Sequence, residues 1–188
     1  MDRHRARANV AASMNPSLTQ ALFGEGAAPD LGPGPRHGVA SIRDIETALD
    51  EILPADHQRR ELIRALALLW HDHHEASHAI VQDMETRDGS YIHAILHRRE
   101  PDYFNAKYWF RRVGQHPCFD KLAARAGEIL KTQTAGNAAK KLLPGGQWDS
   151  FAFVDACEAA ALPSAPLHAT LREIQRAEFE ILLDYLGR

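Results

Sequence analysis

The sequence predicts an all-α fold, an irregular bundle of about six or seven helices. Three observations carry that reading. Apolar residues recur at intervals of three and four along most of the chain after residue 37. No run of period-two alternation stands out, so no strand is expected. Proline and glycine, with capping residues nearby, divide the pattern into helix-length pieces.

Residues 1–37 differ from the rest. Pro16, Pro29, Pro33 and Pro35 sit among Gly24, Gly26, Gly32 and Gly34. Such a segment buries too little apolar surface to offset its ordering entropy. It reads as a flexible N-terminal arm with at most a short helix over 18–23, and residues 38–188 read as a single helical domain. Arg3, Arg5 and Arg7 precede an acid-poor stretch that faintly resembles a transit peptide, but no apolar core for secretion follows.

The helices follow in order. Ser41 and Asp44 form a capping-box pattern that opens a helix through Ile45, Leu49 and Leu53, and Pro54 ends it. Asp56 is placed to cap a second helix running to about Glu85. Asp88-Gly89-Ser90 marks a turn and the start of a third, which Pro101 interrupts after Glu100. Asp102 opens a fourth through Phe104, Tyr108, Trp109 and Val113, stopped by Gly114. Pro117 starts a fifth through Leu122, Ile129 and Leu130. Loops at Gly136 and Pro144-Gly145-Gly146 precede a sixth, capped by Asp149 and containing Cys157. Pro163 and Pro166 separate it from the last, Leu167 to Leu186.

Composition narrows the function classes. The 188 residues carry a net charge of -3, which speaks against a dedicated nucleic-acid binder. No apolar run approaches the roughly 20 residues of a membrane helix, so no membrane partner is expected and the chain reads as cytoplasmic. Cys118 and Cys157 are too few for a disulfide framework. There is no G-x-S-x-G elbow, P-loop or dinucleotide fingerprint. The oligomeric state stays open.

Histidine is the unusual feature. Six of eleven, from His71 to His97, fall within 27 residues. His74-Glu75-Ala76-Ser77-His78 matches H-E-x-x-H, in which two imidazoles one helical turn apart hold a metal and the glutamate acts on its water. At about 100° per residue, Leu62, Leu66, Leu69, Trp70, His73, Ser77, Ile80 and Met84 form an apolar side. His71, His74, Glu75, His78 and Gln82 form a polar stripe beside it, and His73 is expected in the core. On the next helix His93, His97 and Glu100 share a face. If the two helices are antiparallel, His78 and His97 both lie about 12 Å from the turn. This predicts a cluster of His74, His78 and His97, with His93 as substitute.

Several chemistries fit that cluster: a three-ligand zinc site with an open position, a non-haem iron site using Glu75-Ala76-Ser77-His78 as E-x-x-H, a metal-free acid–base site, or a solvated face with no metal. A second E-x-x-H is missing, so a di-iron centre is half supported, and zinc is favoured over iron. Val81 and Met84 occupy the positions where a metzincin has glycine and its third histidine.

Residues 97–117 are dense in basic and aromatic groups. Arg98, Arg99, Lys107 and Arg111 are candidates for orienting a small anionic substrate, since arginine forks suit carboxylate and phosphate. The aromatics fit core packing better, with Phe104 and Tyr108 as i, i+4 partners. The run from Gly89-Ser90-Tyr91-Ile92-His93-Ala94-Ile95-Leu96-His97-Arg98-Arg99-Glu100 through Asn105-Ala106-Lys107-Tyr108-Trp109-Phe110-Arg111, with Trp148-Asp149-Ser150-Phe151, resembles an uncharacterised family of small bacterial and fungal proteins. The resemblance covers about Leu68 to the end and implies no known activity. In that family H-E-x-x-H is not always complete, which raises His78, His93 and His97 relative to His74. The expectation is a small metal-dependent enzyme, hydrolytic in type, with Glu75 as acid–base group. The alternative is a non-enzymatic helical binding module with structural or pH-sensitive histidines.

Overall fold

The structure, a computed structural model, describes residues 18–34, 36–132 and 136–188. Arg3, Arg5 and Arg7 lie outside the described residues. Ten α-helices are found among them: α1 (Leu18–Phe23), α2 (Ile42–Ile52), α3 (Arg60–Trp70), α4 (His74–Val81), α5 (Arg87–Arg99), α6 (Tyr103–Val113), α7 (Cys118–Thr132), α8 (Gly136–Leu142), α9 (Ser150–Ala159) and α10 (His168–Leu186). No strand occurs among the described residues. None of these helices is long and apolar enough to cross a membrane.

Four of the helix starts follow from side-chain caps. The Ser41–Asp44 capping box closes reciprocally at the start of α2. Asp102 caps α6 by accepting from the Asn105 N–H, and Asp149 caps α9 by accepting from Phe151 and Ala152. The start of α5 lies earlier than Ser90, because Thr86 accepts from the Gly89 N–H at 3.1 Å and serves as its cap. Gly89 also allows a close approach: a Cβ there would meet the Met84 Cβ at 2.7 Å.

The helix expected from Asp56 to Glu85 is two helices, and the break is at Asp72. The Asp72 N–H donates to Leu69 O at 3.2 Å and the His73 N–H to Leu68 O at 3.0 Å. This pairing is a Schellman ending, and Asp72 takes the left-handed position that glycine usually fills, with φ of 65°. Asp and Asn tolerate that conformation better than other non-glycine residues. The stripe drawn across a continuous helix therefore does not exist. His71 is buried at the end of α3, with Nε2 2.8 Å from Leu22 O and Nδ1 accepting from the Ala40 N–H. His73 precedes α4, half-buried rather than in the core, with Nε2 2.8 Å from Ala40 O. The extra helices, α1, α8 and the α3/α4 split, account for ten in place of six or seven.

The described part of the N-terminal segment is not a free arm. Leu22, Phe23, Ala28 and Leu31 are buried. Phe23 stacks on Trp70 with centroids 4.2 Å apart and accepts the Trp70 indole N–H at its carbonyl. Residues 27–31 lie against the bundle as a strap, its carbonyls accepting from side chains. Arg172 donates to Ala28 O, Gln175 to Pro29 O and Arg99 to Asp30 O, at 2.6, 3.0 and 3.2 Å.

At the centre lies α5, buried from Gly89 to Arg99 and packed by α3, α4 and α6. Its last two arginines are held by carboxylates. Arg98 meets Glu178 of α10 at 2.5 Å with both side chains fully buried, and Glu178 also accepts from the Tyr91 hydroxyl at 3.2 Å. Arg99 meets Asp72 at 2.5 Å and donates to Leu69 O. Arg36 reaches the other Asp72 oxygen at 3.0 Å.

Burial pushes the Asp72 carboxyl up, but the Arg99 and Arg36 guanidiniums outweigh it and hold its pKa below the usual value. Asp72→Asn keeps a residue suited to the left-handed backbone and removes the charge. Urea unfolding at neutral pH should show a loss of about 2–4 kcal/mol. A carboxylate lowered on folding contributes fully above its unfolded pKa of about 3.9 and ceases to contribute as pH falls through the lowered native value. The gap between wild type and variant should therefore close in acid. A pH-independent gap would show that the charge is not its source.

Candidate metal centre

The short connection after α4 brings that helix against α5, as expected for sequential helices with little chain between them. His78 of α4 then meets His93 and His97 of α5, which lie one turn apart on the same face. The ring centroids are 4.8 Å apart for His78 and His93, 5.6 Å for His78 and His97, and 4.7 Å for His93 and His97. One ring nitrogen from each histidine lies within 4.8 Å of the others, close enough to bind a metal. A tetrahedral zinc at about 2.0–2.1 Å needs nitrogens about 3.3 Å apart, so the rings must draw in by about 1.5 Å on binding.

Each imidazole has a different setting. His93 is 3% exposed and stacks on Trp109 of α6 at 3.9 Å. Neither of its ring nitrogens has a hydrogen-bond partner among the described residues. Burial, helped by its neighbours His97 and His78, lowers its pKa to about 3. It is therefore neutral at physiological pH, the form a metal binds. His97 is also lowered by burial, against the opposing pull of Glu100 and Asp102. Its Nε2 lies 3.1 Å from the Asn105 side-chain nitrogen. Its Nδ1 lies 3.1 Å from a Glu100 oxygen, without the alignment of a hydrogen bond. His78 is half-buried. His78 and His97 face an open cleft of about 270 Å3, whose other walls are Glu75, Ala79, Gln82 and Glu100.

The structure thus brings Glu75 to the same cleft as His78 and His97, and it makes His93 a full member of the cluster. It leaves His74 out. His74 is the first residue of α4, immediately after the break, and its Nδ1 lies 3.2 Å from Asp72 O. Its Nε2 is buried without a partner, and burial together with Arg99 lowers its pKa.

The four expected anion-binding cations lie elsewhere. Arg98 and Arg99 are buried in their ion pairs with Glu178 and Asp72. Lys107 pairs with Asp155, and Arg111 lies over the Phe151 ring at 5.8 Å. The cleft is instead rimmed by carboxylates. Two contributors, Trp109 and Asn105, went unrecognised as site residues. Only their four-residue spacing, which places both on the flank of α6 toward α5, could have signalled them.

Comparison with known proteins finds no counterpart: no family model, no curated protein and no solved structure matches the chain.

A paramagnetic ion bound to His93 would sit beside the stacked Trp109 ring. Titration with Co2+ should quench tryptophan fluorescence saturably with one equivalent, and Trp109→Phe should abolish the quench. His78→Ala, His93→Ala and His97→Ala should each weaken binding beyond the roughly 10–100-fold typical of outer-shell changes. His74→Ala should leave it nearly unchanged. A His74→Ala variant as impaired as His93→Ala would restore the ligand set drawn from H-E-x-x-H.

Proposed function

We propose that the chain is a small metal-dependent hydrolase, with zinc held by His78, His93 and His97 at the inner end of the α4–α5 cleft. The observation that carries this is the histidine trio, with His93 and His97 buried and His78 half-buried, in which neither ring nitrogen of His93 has a partner among the described residues. A buried polar group left unpaired is destabilising, and a site that tolerates one commonly serves a ligand. Three imidazoles could hold zinc and would leave a position open, an arrangement suited to catalysis. A non-haem iron centre of the facial type needs a carboxylate in the ligand set, and no carboxylate oxygen belongs to the trio.

The remaining residues take roles from their positions. Glu75 lines the same cleft as His78 and His97 and is exposed, so it would serve as general base for water that a bound zinc would activate there. Glu100 lies 3.1 Å from His97 Nδ1 and would orient that ring on metal binding by realigning to accept its N–H, as carboxylates do for metal-bound histidines. The cleft volume of about 270 Å3 admits only a small substrate or the end of a larger one.

The purified protein should contain close to one zinc per chain by elemental analysis. The zinc-loaded form should hydrolyse p-nitrophenyl acetate faster than free zinc does. Glu75→Gln should lower that rate by about 10²–10⁴-fold while retaining zinc. The His78→Ala, His97→Ala double variant should lose both zinc and rate. Stoichiometric zinc without hydrolysis of any ester or amide would support the binding-module reading in its place.

A further inference from the structure

The end of α6 and the start of α9 line an open pocket of about 390 Å3. Its walls come from residues the metal centre does not use: the C-terminal end of the basic-aromatic run, Phe119 of α7, and Pro144 with Gln147 to Phe151. The volume lies in the range of small-molecule pockets. Four of the eleven lining residues are aromatic: Phe110 and Phe119 are buried, Trp148 is 9% exposed and Phe151 is half-buried.

Arg111 is the one cation in the lining. It is exposed, has no carboxylate partner among the described residues, and its guanidinium lies over the Phe151 ring. The one acid in the lining, Asp149, is committed to capping α9, with Oδ1 accepting at 3.0 and 2.9 Å from the Phe151 and Ala152 N–H groups. Trp148 lines the pocket, and its indole N–H is buried out of reach of solvent, without an acceptor among the described residues. An unpaired cationic fork thus stands at a pocket with four aromatic side chains in its wall.

We propose that this pocket binds a small planar carboxylic acid, with the carboxylate on Arg111 and the flat apolar body against the rings of Phe119, Trp148 and Phe151. Guanidinium and carboxylate match in charge and in bidentate geometry. The aromatic walls favour a planar apolar body over a saturated polar one. A phosphate is a poorer fit, because a single cation lines the pocket and the walls offer a compact dianion little else. An amine would meet Arg111 as a like charge. This site is separate from the metal centre and does not depend on it.

The probe is trans-cinnamate, added to the full chain in EDTA and followed by amide chemical shifts. The expected result is saturable binding below about 1 mM, with shifts concentrated at 111–115 and 147–151. Cinnamyl alcohol and benzylamine should bind at least about tenfold more weakly, and Arg111→Gln should weaken cinnamate by a similar factor, with Arg111→Lys between. Absent saturation, shifts centred elsewhere, or equal binding of the acid and the alcohol by the unaltered protein would overturn the proposal. The acid–alcohol comparison does not depend on how the variant folds.

Discussion

Asp72 is the residue on which most of the arrangement depends. Its left-handed backbone ends α3 and turns the chain so that α4 starts in a new direction. Its carboxylate receives Arg99 from α5 and Arg36 from the chain after the strap. One side chain thus ties together the helix break, the central helix and the N-terminal segment. A glycine would supply the turn more cheaply in conformational terms but would leave a buried guanidinium without its counter-charge. The orientation of α4, and with it the meeting of His78 with α5, follows from this compromise.

The central helix shows how a polar sequence can be interior. From Gly89 to Arg99 it is buried on every side, although it contains two arginines, two histidines, a serine and a tyrosine. Partners satisfy most of these. Glu178 and Gln175 of α10 take Arg98, Glu178 takes the Tyr91 hydroxyl, and Asp72 with two carbonyls takes Arg99. Ser90 Oγ, His97 Nδ1 and Arg98 Nε lack a partner among the described residues, but only His93, packed between His97 and Trp109, leaves two ring nitrogens unmatched. That imidazole reads as chemistry kept available, and His78 and His97 are placed to share it.

Much of the helical order was legible in the sequence because caps and breakers are local. Ser41, Asp102, Asp149, Gly114 and Pro101 all act within a few residues of themselves. The break at Asp72 was not legible, since a Schellman ending normally announces itself with glycine. The described part of the N-terminal segment misled for the opposite reason. Its prolines and glycines remove helix and sheet, but they do not prevent a chain from being held by arginine and glutamine side chains reaching from distant helices. The histidine site was half legible. Level spacing on neighbouring helices found His78 and His97, whereas excluding His74 and including His93 required the direction of α4, a tertiary fact. The arginines of α5 were legible as carboxylate binders, but that the carboxylates are the chain's own Glu178 and Asp72 is set by the packing of distant elements.

The strap also bears on the order of assembly. Its carbonyls are bound by Arg172 and Gln175, which lie 144 and 146 residues further along the chain from Ala28 and Pro29. These are among the most non-local contacts the molecule makes, and closing so long a loop is slow relative to forming local helices. During synthesis the segment leaves the ribosome first, yet its binding surface is complete only after α10 has emerged and packed. The earliest part of the described chain to be made is thus among the last to be seated, and until then it leaves the face of α5 and α10 beneath it open to water.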